Sequence, residues 1–171
     1  LNSFVLQLPI RHRNGSEISS SNEEGNDIKN ELPYSKSNDK RNILLVDDET
    51  DLRNFIAEEL QEKYNVYEAD NGKEALRLLH NRNIQLVITD LMMPVMDGIT
   101  LCKEIKNDIR LSHIPVIVLT AKVSMQDHID VLNTKADAYI EKPFSTAHLN
   151  AQISNLIHSR ELLRETFIQI G

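Results

Sequence analysis

Cysteine occurs once in the 171 residues, at Cys102, so no disulfide can form within the chain. That scarcity fits a reducing, cytoplasmic setting. Glycine is nearly as sparse: Gly15, Gly25, Gly72, Gly98 and Gly171 are too scattered to assemble a glycine-rich phosphate loop, which argues against a nucleotide-binding protein. No apolar run approaches the ~20 residues needed to cross a bilayer, and no signal-peptide pattern is present, so no direct membrane contact is expected. Positive charge is in deficit. Nineteen Lys and Arg face 26 Asp and Glu, a net charge of -7 that disfavours nonspecific attraction to nucleic acid; DNA contact would need a further domain. His12, His80, His113, His128, His148 and His158 share no metal-ligand spacing. The chain opens on Leu1 rather than Met, as expected of a piece of something longer.

What remains is organised in segments. Residues 1–10 include the alternating Phe4–Ile10, a short strand without a partner, read as the end of a preceding domain. Residues 11–40 are rich in Ser, Asn, Glu and Lys, the composition of a flexible linker. Residues 41–158 carry the pattern of one α/β domain with enough apolar content, at 40% of the chain, for a single core. Residues 159–171 continue the last helical pattern. Ile43–Val46, Leu86–Ile88 and Val116–Leu119 are apolar without alternation, as in strands covered on both faces. Val66–Ala69 and Ala138–Glu141 add two more strands. Between them lie helical periods with Leu52, Phe55, Ile56 and Leu60, with Ala75, Leu76 and Leu79, with Ile99, Cys102 and Ile105, and with Ile129 and Leu132. Strands alternating with helices imply a doubly wound parallel sheet with right-handed crossovers.

The polar residues that close these strands carry the functional signal. Asp47, Asp48, Asp90, Thr120 and Lys142 each stand at or just past a strand end, and a parallel sheet gathers such ends at one edge, where ligands bind. Three carboxylates there repel one another by ~4 kcal/mol per close pair at an effective dielectric of about 20. A cation resolves the conflict. Hard oxygen ligands with room for water suit Mg²⁺. Lys142 adds a fixed positive charge and Thr120 a hydroxyl, so the set reads as a site that neutralises a phosphoryl group beside a carboxylate nucleophile. Taken alone, Asp47 and Asp48 would read better as a helix N-cap; in register with Asp90 and Lys142 they read as part of the site.

Four stretches match a known pattern in order and spacing. Leu45-Val46-Asp47-Asp48-Glu49, Thr89-Asp90-Leu91-Met92-Met93-Pro94-Val95-Met96-Asp97-Gly98, Leu119-Thr120-Ala121 and Tyr139-Ile140-Glu141-Lys142-Pro143-Phe144 resemble the signatures of bacterial response-regulator receiver domains. The resemblance implies a flavodoxin-like (βα)5 fold with strand order 2-1-3-4-5. It further implies that Asp90 accepts a phosphoryl group from the phosphohistidine of a histidine kinase. Asp48, Asp90 and the Met92 carbonyl would hold Mg²⁺, with Asp47 assisting partly through water. Lys142 and Thr120 would bind phosphoryl oxygens, and Thr120 with Tyr139 would form a switch pair.

The flanks resemble, more weakly, the last strand of a histidine-kinase ATP-binding domain and a connector to a helix-turn-helix output. That order implies a hybrid sensor kinase with its phosphodonor on the same chain. Leu149, Ile153, Leu156, Arg160, Leu163, Phe167 and Ile170 alternate by four and three like a coiled-coil seam, which suggests a homodimer through the last helix. Two other readings compete: an interaction module that is never phosphorylated, and an aspartyl-nucleophile phosphatase of the haloacid-dehalogenase type. Met92 stands where such a phosphatase needs its second acid. Two departures from the receiver pattern matter. Lys135 occupies the place of a glycine, so a left-handed residue there would be strained by roughly 1 kcal/mol or more. Met92 and Lys122 border the approach of hydrolytic water and lack groups to orient it, which predicts a long-lived phosphorylated state.

Overall fold

The computed structural model describes residues 39–121, 129 and 132–170. The strand remnant expected at 1–10, the linker up to residue 38 and Lys122 lie outside the described residues. Five strands form one parallel sheet: β1 (Asn42–Val46), β2 (Asn65–Ala69), β3 (Leu86–Asp90), β4 (Val116–Thr120) and β5 (Ala138–Glu141), ordered β2-β1-β3-β4-β5. Helices α1 (Thr50–Gln61), α2 (Gly72–Asn81) and α3 (Gly98–Asn107) connect β1 to β2, β2 to β3 and β3 to β4, and a C-terminal helix spans Thr146–Ile170.

The unbroken apolar runs are explained by two cores, one on each face of the sheet. Leu44, Val46, Val87, Val116 and Val118 point toward Ala75, Leu79, Leu101, Cys102 and Ile105 of α2 and α3. Their chain neighbours Ile43, Leu45, Leu86, Ile88, Ile117 and Leu119 point the other way, onto Ile56, Ala57 and Leu60 of α1 and Leu149, Ile153 and Ile157 of the C-terminal helix. Alternate side chains of a strand face opposite sides, so a strand buried on both must be apolar throughout.

Local signals end and start the helices. Asn71 caps α2 by accepting the N–H groups of Lys73 and Glu74, and Asp97 caps α3 by accepting that of Thr100. Gly98 is required by close approach, because a Cβ there would collide with the Asp90 carbonyl oxygen. Lys135 has φ 58, so the turn before β5 does hold a non-glycine in the left-handed region. Val95 is a second such residue, at φ 68, spanned by a hydrogen bond from the Met96 N–H to the Pro94 carbonyl. A β-branched residue in this three-residue turn is strained.

One expectation needs correction. Phe55 is 53% exposed, while Ala57 is buried in its stead. At 100° per residue Phe55 lies roughly 140° around α1 from the arc of Ile56, Ala57 and Leu60, so its ring faces solvent. Ile129 and Leu132 are helical as expected, and both are largely exposed. Arg160, a member of the expected seam, also reaches the domain. It donates to Asp137 at 2.6 Å, and Glu161 pairs with Arg41, so the helix is tied to the domain past residue 158.

Candidate functional site

Strand register delivers the polar residues to one edge. Val46 pairs with Thr89 and Asp90 with Leu119, while Thr120 pairs with Glu141, so Asp47, Asp90, Thr120 and Lys142 leave adjacent strands at nearly one level. Carboxylate oxygens of Asp47, Asp48 and Asp90 lie within 4.8 Å of one another. Lys142 Nζ donates to Asp90 Oδ1 at 3.0 Å and lies 3.5 Å from Asp47 Oδ2. Asp47 is fully buried, Asp90 partly so, and Asp48 is exposed at the rim.

Asp47 is the most constrained of these. Its N–H donates to the Ala69 carbonyl (3.1 Å), its Oδ1 accepts the Glu49 N–H (2.9 Å) and its carbonyl accepts Arg53 Nη1 (2.6 Å). Oδ2 is buried without a hydrogen-bond donor. A carboxylate oxygen without a hydrogen bond is costly unless a cation stands near it; the Lys142 ammonium at 3.5 Å supplies part of that charge but is shared with Asp90, which leaves three clustered carboxylates with one cation. Together with two neighbouring carboxylates, this donor set fits Mg²⁺, a hard ion that takes oxygen ligands and keeps several waters. The N-cap alternative is not realised, since Glu49 occupies the N-cap of α1 and makes no side-chain capping bond.

Burial pushes the Asp90 carboxyl above the ordinary Asp range and the Asp47 charge adds to this, although the hydrogen bond and charge of Lys142 oppose it. Burial pulls the Lys142 ammonium downward, but its hydrogen bond to Asp90 and the charges of Asp90 and Asp47 outweigh that and raise its pKa. The lysine therefore stays protonated and holds the Asp90 carboxylate in place.

Thr120 and Tyr139 hydrogen-bond to groups other than Asp90. The Thr120 hydroxyl donates to the Ala121 carbonyl (2.7 Å), and the Tyr139 hydroxyl lies 2.6 Å from that of Thr134. Met92 is 75% exposed and its soft thioether does not suit a hard ion, so any part in metal binding falls to its carbonyl. Cys102 is core, its Sγ directed at the Thr134 carbonyl (3.2 Å), and burial raises its thiol pKa. Among the described residues the one cluster of His, Cys, Asp and Glu suited to a metal contains no histidine.

The model of the response regulator receiver domain matches residues 43–154. The chain belongs to the response regulator receiver domain family. The chain is 42% identical over 129 residues to histidine kinase P4 of Formosa agariphila, a match covering 75% of this chain and 9% of the kinase. It is 42% identical over 127 residues to the sensor histidine kinase TmoS of Ectopseudomonas mendocina, covering 74% and 13%. A probable transcriptional regulator, ycf29 of Pyropia yezoensis, is 40% identical over 74% of this chain and 57% of its own length. The chain thus spans about a tenth of the kinases it matches. Among solved structures, the signal receiver domain of a histidine kinase from Syntrophus aciditrophicus superposes with TM-score 0.68 and 33% identity, covering 70% of this chain and 91% of that one. The receiver fold of two-component systems, with its flavodoxin-like strand order, is therefore the fold of this chain.

Two groups that touch this architecture went unnoticed in the sequence. Arg53 reaches from α1 to the Asp47 carbonyl and to Glu68 Oε2 (3.1 Å). Asp137, in the turn before β5, accepts from Lys106 Nζ, the Val116 N–H and Arg160. Neither follows a local spacing. Arg53 lies six residues from Asp47 but 15 from Glu68, and Asp137 meets groups 21 or more residues away, which the sheet order brings together.

Proposed function

We propose that Asp90 is the phosphoacceptor of this receiver and takes its phosphoryl group from a kinase phosphohistidine. The observation that carries the reading is the contact of Lys142 Nζ with Asp90 Oδ1 at 3.0 Å, beside the cluster of three carboxylates. In the transfer an Asp90 oxygen forms a P–O bond as the N–P bond breaks; the imidazole leaves with that electron pair and takes a proton from solvent. The product is an acyl phosphate. Asp47, Asp48, Asp90 and the Met92 carbonyl would hold Mg²⁺, which when bound neutralises charge on the phosphoryl oxygens. Lys142 moves its hydrogen bond from the carboxylate to the new phosphoryl group. Thr120 gives up the Ala121 carbonyl and turns its hydroxyl to a phosphoryl oxygen, and Tyr139 follows into the space vacated. Thr120 and Tyr139 are thus the switch.

Acetyl phosphate with and without Mg²⁺ tests the assignment. Hydroxylamine-labile phosphate is expected on the unaltered chain only with Mg²⁺, and none on Asp90→Asn. Equal labelling of that variant would refute Asp90 as acceptor. Steady release of phosphate from esters would indicate a phosphatase, and no labelling at all would indicate an interaction module.

The wider setting proposed is a hybrid sensor kinase, supported by the two kinases in which the matching segment is a small part of a long chain. The C-terminal helix then acts as connector to an output domain. Leu163, Phe167 and Ile170 are exposed along it and continue the seam begun by the buried Leu149 and Ile153, a pattern that suits pairing with a second copy.

A further inference from the structure

We infer that Arg53 is a positioning residue for the metal site, resting on the assignment of Asp47, Asp48 and Asp90 as its ligands. Arg53 carries a positive charge next to a loop that would bind a cation. By charge alone it should weaken that site. Its geometry gives it the opposite role. Nη1 donates to the Asp47 carbonyl at 2.6 Å while Nε donates to Glu68 Oε2 at 3.1 Å, and its side chain is only 15% exposed. The planar guanidinium thus bridges the loop after β1 to the edge strand β2, with two donors in fixed relation.

The consequence falls on Asp47. Its N–H is held by Ala69 of β2 and its Oδ1 by the Glu49 N–H, which fixes one end of the residue. The carbonyl is the remaining main-chain group through which the Asp47–Asp48 peptide can tilt, and Arg53 holds it. That peptide sets the direction in which Asp48 presents its carboxylate and the depth at which Asp47 Oδ2 waits without a donor. Arg53 is itself anchored at the main chain, where its N–H donates to the Glu49 carbonyl at 2.9 Å. Glu68 cancels part of its charge, so the brace is held at reduced cost to the cation. The guanidinium and Glu68 line one wall of an open cavity of about 420 Å³ with Asp70, Asn71 and Glu74, so the brace is reached by solvent from that side and depends on its hydrogen bonds for its geometry.

Calorimetric titration of the 171-residue chain with Mg²⁺ separates the two effects, because they have opposite signs. Outer groups that orient metal ligands typically cost about tenfold in affinity or more when removed. Arg53→Ala should therefore weaken Mg²⁺ binding about tenfold. Arg53→Gln, which keeps one donor for the carbonyl and protects folding, should weaken it about threefold. Thermal unfolding without Mg²⁺, followed by circular dichroism, verifies that the variants titrated are folded. Unchanged or tighter binding by either folded variant would overturn the positioning role, since loss of a nearby positive charge would then dominate. Absence of Mg²⁺ binding by the unaltered chain would overturn the metal-site reading and this inference with it.

Discussion

Replacing Asp137 removes one carboxylate that serves three elements. Lys106 of α3 lies 2.8 Å from Oδ2, the Val116 N–H at the start of β4 donates to the same oxygen at 2.8 Å, and Arg160 donates to Oδ1 at 2.6 Å. In Asp137→Ala the Val116 N–H loses its acceptor, at about 1–3 kcal/mol for a buried polar group. Lys106, whose side chain is 10% exposed, retains the Ile114 carbonyl at 2.9 Å and so recovers part of its loss. Arg160, at 38% exposure, is screened and adds little. The sum is about 3 kcal/mol, or a fall in Tm of roughly 10 °C for a domain of this size. Asp137→Asn keeps an acceptor for Val116 and should lose about half as much. The carboxyl is pulled up by burial but held below the ordinary Asp range by the Lys106 and Val116 hydrogen bonds and the Lys106 and Arg160 charges. A depressed folded-state pKa gives stability that is present above the unfolded value near 4 and is lost as pH falls through the lower folded value. The gap between the unaltered chain and the alanine variant should therefore be full at pH 7 and shrink below pH 4. Urea unfolding across that range measures it. A gap under about 1 kcal/mol at pH 7, or one that widens in acid, would refute the account.

Lys135→Gly should stabilise the domain by about 0.5–1 kcal/mol, the relief at φ 58 exceeding the added freedom of the unfolded chain; urea midpoints showing a loss would mean the turn is unstrained. The chain ending at Glu161 keeps the Arg160–Asp137 and Arg41–Glu161 pairs, so sedimentation isolates the exposed helix end. The full chain should self-associate and the shorter one should not. Equal masses would remove the case for pairing.

How far the structure could be read in advance depended on whether the signal was local. The strands around Leu44, Val87 and Ile117 were legible because burial on both faces forbids polar alternation, and that placed Asp47, Asp90 and Lys142 together. Lys135 was legible as strain because a missing glycine is visible as a departure from a pattern. Phe55 misled because an apolar residue in a helix need not lie on its buried arc. Arg53 and Asp137 were illegible for another reason: their partners are set by the order of strands in the sheet, and a lone charged residue in a helix or turn does not declare which distant group it will meet.

The sheet is also a partition. Leu44 and Leu45 are neighbours along the chain yet belong to different cores, as do Val87 and Ile88. Mutational coupling in this protein should therefore follow the face of the sheet and ignore adjacency in sequence: paired truncations at Leu44 and Val87 share a cavity, whereas those at Leu44 and Leu45 largely add. Such a wall lets the two sides drift independently over generations. The face under α2 and α3 can be repacked without retuning the face that carries the C-terminal helix, so long as the acidic edge common to both keeps its register.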